Sequence, residues 1–298
     1  MDIHGVFPAL ITPFAFDETV SLAGVVENVC RYNETAIAGF VVLGSTGEAV
    51  MLSREEADSV LAAVQEAASP NKILIAGTGA ESTAETIART KRAALLGYAV
   101  ALVKTPYYYK PVYSPETYIR HYRAVADASP IPILLYSVPQ FTGITLETPE
   151  ILTLAQHPNI IGIKDSSGNV QRVVEVVAAA PANFRVLTGG ASVIYPALAV
   201  GARGAILALA AALPEKCAEV YDLVQRNQHE QARQLQLQLA HASKRIVSEN
   251  GIAGVKYAMD LRGFHGGLPR PPLLPLTEEK KRTIADAVAQ LHPAAASV

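Results

Sequence analysis

Lys164 leaves the apolar run Ile160-Ile-Gly-Ile163 with no charge before it, and that setting makes it the most informative residue for chemistry. A lysine at the inner end of a strand loses hydration, which costs the ammonium form and lowers its pKa. A drop from about 10.4 to about 7–8 corresponds to roughly 3–5 kcal/mol of differential solvation. The neutral amine can attack a carbonyl carbon and form a Schiff base. Gly162, two positions earlier, is expected to leave room beside it. A lysine at the barrel rim, either solvated or salt-bridged to Asp165, fits the same pattern equally well.

Lys104 competes for the role, because it too ends an apolar run, Ala99–Val103. Strand alternation puts Lys104 and Thr105 on opposite faces and leaves open which of them faces inward. Tyr136 closes Ile133-Leu-Leu-Tyr and can bring a phenol to the same mouth, where another hydroxyl would relay protons to a substrate oxygen. A tyrosine packed in the top layer of the core is the alternative. Gly44-Ser-Thr-Gly47 offers backbone amides and two hydroxyls without positive charge, a fit for a carboxylate. A plain strand-to-helix turn accounts for it nearly as well. Gly189-Gly190 precedes an apparent helix at Ser192 and could bind phosphate. The run Tyr107-Tyr108-Tyr109 suits surface packing or a subunit contact.

Other chemistries find little support. Gly77-Thr-Gly79 lacks the third glycine of a dinucleotide fingerprint, and the 7 histidines are scattered without metal-ligand spacing, which disfavours metal catalysis. The 2 cysteines, Cys30 and Cys217, are too few for a disulfide scaffold. A net charge of −2 provides no basic field for nucleic acid or an anionic membrane. The start has no basic n-region and carries Pro8 and Pro13, unlike a signal peptide. The longest apolar run, 197–213, is broken by Arg203 and Gly204, short of a membrane span. The expectation is a soluble, cytoplasmic protein with 50% apolar residues and a large core.

The elements that must position these residues follow from hydrophobic patterning. Short β-branched runs recur at Gly5–Leu10, Gly39–Leu43, Lys72–Ala76, Ala99–Val103, Ile131–Tyr136, Ile160–Lys164, Phe184–Thr188 and Gly204–Leu207. Near-continuous hydrophobicity without alternation marks parallel strands covered by helices. Helix starts lie between them, at Ser53-Arg-Glu-Glu and Glu81-Ser-Thr-Ala-Glu. Eight strand–helix units predict a (β/α)8 TIM barrel over residues 1–228, with active-site residues at the strand C-termini. Residues 229–298 read as a helical C-terminal extension: Glu230–Ser248, Ile252–Leu261 and Thr277–Leu291. Pro269, Pro271, Pro272 and Pro275 stiffen the connector before the last helix, and the 293–298 tail is expected to fray.

Together these motifs resemble the dihydrodipicolinate synthase / N-acetylneuraminate lyase family of pyruvate-dependent class I aldolases and lyases. The resemblance runs the length of the chain through Gly5-Val-Phe-Pro-Ala-Leu-Ile-Thr-Pro-Phe14, Gly44-Ser-Thr-Gly-Glu48, Thr105-Pro-Tyr-Tyr108, Leu135-Tyr-Ser-Val-Pro139 and Gly162-Ile-Lys-Asp-Ser-Ser-Gly168. It is the resemblance that selects Lys164 over Lys104 as the Schiff-base lysine. It also implies Tyr136 as the proton-transfer tyrosine, Ser45 as the relay and Ser45 with Thr46 as carboxylate binders. Tyr108 matches a tyrosine that crosses a tight dimer interface into the neighbouring site, implying a homodimer or homotetramer. Gly189 and Ile206 match positions that line the substrate cavity. No cofactor is implied; the partners are pyruvate or another 2-oxo acid and an aldehyde.

Departures from the pattern bear on substrate. Dihydrodipicolinate synthases carry an arginine two residues after the proline of the tyrosine motif, where it binds the aldehyde's carboxylate; Pro139-Gln-Phe141 puts Phe141 there. Losing a bidentate carboxylate partner is not conservative. Sialate lyases carry acidic residues after Gly189, whereas this chain has Gly190 and Ala191. Ala76-Gly-Thr-Gly-Ala-Glu-Ser-Thr83, Ser129-Pro-Ile-Pro132 and Gln156-His-Pro-Asn-Ile-Ile161 look more like the 4-hydroxy-2-oxoglutarate aldolases, although Thr46 stands where that branch carries asparagine. The resemblance therefore implies reversible cleavage of 4-hydroxy-2-oxoglutarate to pyruvate and glyoxylate. Dihydrodipicolinate synthase activity and a non-catalytic barrel that binds an oxo acid or phosphate are the rival expectations.

Overall fold

β-branched and aromatic side chains favour the pleated, half-covered surface of a strand, and each expected apolar run becomes one. A computed structural model describes residues 2–292 and contains β1 (Gly5–Pro8), β2 (Gly39–Val42), β3 (Ile73–Gly77), β4 (Val100–Lys104), β5 (Ile133–Ser137), β6 (Ile160–Asp165), β7 (Arg185–Thr188) and β8 (Gly204–Leu207). All pairings are parallel, in the order β1-β8-β7-β6-β5-β4-β3-β2. The ends of that order also meet. Leu10 N donates to Val41 O and Ala38 N donates to Val6 O, each at 2.9 Å. The sheet is thus closed, with helices on its outer face, as a (β/α)8 barrel requires.

Alternation along the strands sorts side chains into two buried layers. Phe7, Val41, Ile75, Leu102, Leu134, Leu187 and Ile206 fill the barrel interior. Val103, Leu135, Ile163 and Val186 point outward and pack with Tyr122, Val125 and Val173 of the covering helices. The helices start where side-chain caps satisfy their first amides. Ser53 and Glu56 form a reciprocal capping box on Arg54–Ala67, and Asn169 caps Val170–Ala179. Ser82 caps Thr83–Leu95, leaving Glu81 outside that helix and available to the strand ends.

Three long helices follow the barrel: His229–Ser243, Gly251–Leu261 and Glu278–Leu291. The first was expected to run unbroken to Ser248. Instead it passes into a wider turn over Lys244–Ser248, where Glu249 N donates to Lys244 O at 3.0 Å. Asn250 Nδ2 takes up the carbonyl of Arg245 at 2.6 Å, which stops the chain from resuming α geometry until Gly251. No helix among the described residues is long and apolar enough to cross a membrane. The expectation for the 293–298 tail lies outside the described residues.

Candidate active site

Neighbouring strands place Lys104, Tyr136, Lys164 and Leu187 side by side in one register row. Tyr136 and Leu187 belong to the interior layer, so this row faces into the barrel. Asp165, one residue on, faces the other way and pairs with the buried Arg172 at 2.8 Å. Its second oxygen accepts from Ser167 N at 2.7 Å. The salt-bridge alternative of Lys164 with Asp165 is therefore excluded by strand alternation.

Lys164 is only 4% exposed, and its Nζ lies 4.1 Å from the centroid of the Tyr136 ring. The Tyr136 hydroxyl stands 3.4 Å from Ser45 Oγ. That is the long edge of a hydrogen bond, of the kind that tightens once substrate is bound. Amine, phenol and hydroxyl thus form one continuous array. Gly162 does not serve it in the expected way: a Cβ there would meet Arg185 O at 2.2 Å, so the glycine serves close strand pairing with β7 rather than space for the lysine. Gly189 is explained by packing too, because a Cβ would lie 1.9 Å from Ser166 Oγ, on the segment that follows Lys164. Thr46 is half-buried in the Ser45 turn, and Ile206 is fully buried in the interior layer.

Lys104 shares the inward row but spends its charge at the rim. Its Nζ pairs with Glu81 Oε1 at 3.0 Å and lies over the Tyr107 ring. Glu81 Oε2 accepts the amides of Tyr107 and Tyr108, both at 2.9 Å. Burial pushes the Glu81 carboxyl up, but those amides and Lys104 outweigh it and hold it below the usual carboxylate range. Beside this cluster His121 is buried against Thr83 Oγ1, and burial, with Lys104 nearby, pushes its pKa down to about 4. Lys104 also borders, with Ser45, Tyr136 and Gly79, a small cavity of about 50 Å³.

Tyr108 is not brought to the array within one chain. It is 72% exposed, edge-on to Tyr109, and makes no hydrogen bond to Ser45, Tyr136 or Lys164. Phe141 is likewise exposed, on the short helix Pro139–Thr142. The cation that reaches this helix is Lys110, whose Nζ donates to Thr142 O at 3.5 Å; Lys104 is held by Glu81.

Sequence reasoning missed the support of the Ser45 turn. Glu48 has a left-handed backbone (φ 53°) and a fully buried carboxylate, which pairs with the equally buried Lys256 at 2.6 Å. Burial pulls the Lys256 ammonium below the usual lysine range, and Glu48 partly restores it. The available signal was a lone cation in the apolar run Gly251-Ile-Ala-Gly-Val-Lys-Tyr-Ala258.

A closed parallel barrel with an inward lysine beside a tyrosine and a serine hydroxyl defines the architecture of a Schiff-base lyase. The dihydrodipicolinate synthetase family model matches residues 2–291. The chain is 34% identical over 289 residues to a 4-hydroxy-tetrahydrodipicolinate synthase of Methanococcoides burtonii, covering 97% of this chain and 98% of that protein. It is also 34% identical over 293 residues to a probable mitochondrial 4-hydroxy-2-oxoglutarate aldolase of Emericella nidulans, covering 97% and 94%. The solved dihydrodipicolinate synthase of Acinetobacter baumannii, complexed with pyruvate, superposes with a TM-score of 0.92 at 33% identity, over 96% of this chain and 98% of that one. The chain belongs to the dihydrodipicolinate synthetase family, and it is an enzyme of the pyruvate-dependent class I aldolase and synthase type.

Proposed function

We propose that the enzyme cleaves 4-hydroxy-2-oxoglutarate reversibly to pyruvate and glyoxylate through a Schiff base on Lys164. The observation that carries the mechanism is the array of Lys164 Nζ, Tyr136 ring and Ser45 hydroxyl. The uncharged amine attacks C2 of the 2-oxo acid, water leaves, and an iminium forms. Ser45 and Thr46 hold the C1 carboxylate. As the C3–C4 bond breaks, Tyr136 takes the proton of the C4 hydroxyl while handing its own phenolic proton through the Ser45 hydroxyl to water, and the bonding pair flows into the iminium to give an enamine. Glyoxylate departs; C3 is protonated; hydrolysis then frees pyruvate and Lys164. The iminium is itself the electron sink, so the reaction as drawn calls for no cofactor. Gly189 and Ile206, at the ends of β7 and β8, are the positions that would border the bound substrate. Tyr108 acts in the site of a second copy in a homodimer or homotetramer, a reading supported by the exposure of Tyr108, Tyr109 and Val112 together.

Phe141 is what favours this substrate over the condensation of pyruvate with aspartate semialdehyde. The second reading has its own support, since the Methanococcoides burtonii relative carries the synthase name. Pyruvate and borohydride followed by peptide mapping tests the mechanism: a reduced adduct on Lys164 is expected, and pyruvate binding without one would refute it. Parallel assays with glyoxylate and aspartate semialdehyde test the substrate, and faster turnover of the semialdehyde would establish the synthase instead.

A further inference from the structure

A buried ion pair is costly to desolvate, so its value lies in what its two ends hold together. One end of the Glu48–Lys256 pair is Glu48, three residues after Ser45, whose amide donates to Ser45 O at 3.1 Å. The other end is the C-terminal extension. Lys256 Nζ also donates to Leu268 O at 2.8 Å, and Arg270 N donates to Glu48 Oε2 at 2.9 Å. The Phe14 ring lies against both cations, 4.4 Å from Lys256 Nζ and 4.2 Å from the Arg270 guanidinium. Arg270 carries the contact onward, to Met51 O at 2.9 Å and to both oxygens of Glu56 at 2.8 and 2.6 Å. On its barrel side the turn is anchored by Thr12 Oγ1, which donates to Gly47 O at 2.7 Å.

We propose that Lys256 is a positioning residue for the Schiff-base reaction: paired with Glu48, it locks the Gly44–Glu48 turn so that the Ser45 hydroxyl stays within relay distance of the Tyr136 phenol. The C-terminal extension is thereby part of the catalytic unit rather than a cover on the barrel. This deepens the function proposed above and depends on it. The relay separation is already 3.4 Å, so a small drift of the turn breaks it, and misplacement by about 1 Å can cost on the order of 100-fold in rate.

The test compares full-length wild type with Lys256→Met, Glu48→Gln and the Lys256→Met/Glu48→Gln double variant. Readouts are borohydride trapping at Lys164 against pyruvate concentration, KM and kcat, and the urea midpoint. The double variant leaves no lone buried charge, and Glu48→Gln keeps shape and an acceptor, so these carry the test where Lys256→Met alone does not fold. The expected result is folded protein still trapped on Lys164 at saturating pyruvate. Half-saturation should rise at least about tenfold and kcat should fall, with Lys256→Arg recovering part of both. Folded variants with a lower urea midpoint but unchanged half-saturation and kcat would overturn the inference. Failure of the underlying reading looks different: wild type itself would give no adduct on Lys164.

Discussion

Lys104 and Lys164 flank Tyr136 in the same inward row, yet only Lys104 has a carboxylate partner, Glu81 at 3.0 Å. Among the described residues no carboxylate lies within ion-pair distance of Lys164, which faces the Tyr136 ring. An amine held as a rim ion pair is a poor nucleophile; a buried amine without a counter-ion is available for addition. Lys164→Ala should therefore lower kcat by at least about 10³-fold and abolish borohydride trapping. Lys104→Met should still give the adduct on Lys164, and an adduct on Lys104 in wild type would reverse the assignment.

Removing the hydroxyl of Tyr136 leaves the ring under Lys164 but ends its contact with Ser45. Tyr136→Phe is expected to keep the fold and the pyruvate adduct while kcat falls about 10²–10⁴-fold. Ser45→Ala should cost less, because water can fill the relay. Single-turnover kinetics separate adduct formation from bond cleavage, and a Tyr136→Phe enzyme with wild-type cleavage would exclude the phenol.

Phe141 is exposed, and by the family resemblance it stands at the position where dihydrodipicolinate synthases carry the arginine for the aldehyde's carboxylate. Phe141→Arg supplies a bidentate partner and should raise kcat/KM for aspartate semialdehyde relative to glyoxylate by about tenfold. Competition assays with both aldehydes measure the ratio; no change in it would remove Phe141 from substrate selection.

Arg270, hydrogen-bonded to both oxygens of Glu56, holds that carboxyl down at about 2 against an ordinary 4.5. A carboxyl with a depressed native pKa stabilises the fold above its unfolded value, and that contribution disappears as pH falls from 4.5 towards 2. Glu56 keeps a solvent-exposed edge, so the contribution is about 1 kcal/mol after screening. Urea midpoints of wild type and Glu56→Gln should differ at pH 7 and converge across that acid window. A constant difference down to the lower pH would show that the pair is not its source.

Gly189→Ala would drive a methyl into Ser166, whose Oγ, Cβ and Cα all lie within 3.0 Å of the new carbon. Overpacking of this kind costs about 1–3 kcal/mol. The displaced segment follows Lys164, so the urea midpoint and the trapping rate should fall together; a loss of stability with unchanged trapping would confine Gly189 to packing.

Sequence reading was most reliable where each residue reports its own environment. Apolar runs announce buried parallel strands, a serine cap at Ser53 marks a helix start, and Lys164, Tyr136 and Ser45 all sit at strand ends as read. It faltered where one glycine had two explanations. Gly162 next to Lys164 suggested space, but the β7 backbone occupies it. Tyr108 was legible as a residue after β4, but within one chain it stays exposed against Tyr109 and meets none of the array.

The order of apolar runs and polar strand ends was enough by itself to determine the barrel and the kinds of group at its mouth, because burial and alternation are local properties of a chain. Only the tertiary structure decided which lysine stays unpaired, that Asp165 turns outward to Arg172, and that Lys256 reaches Glu48 across more than two hundred residues. Those outcomes depend on strand register and on which charged groups closure of the barrel brings within a few ångströms, and neither is written in the neighbourhood of any single residue.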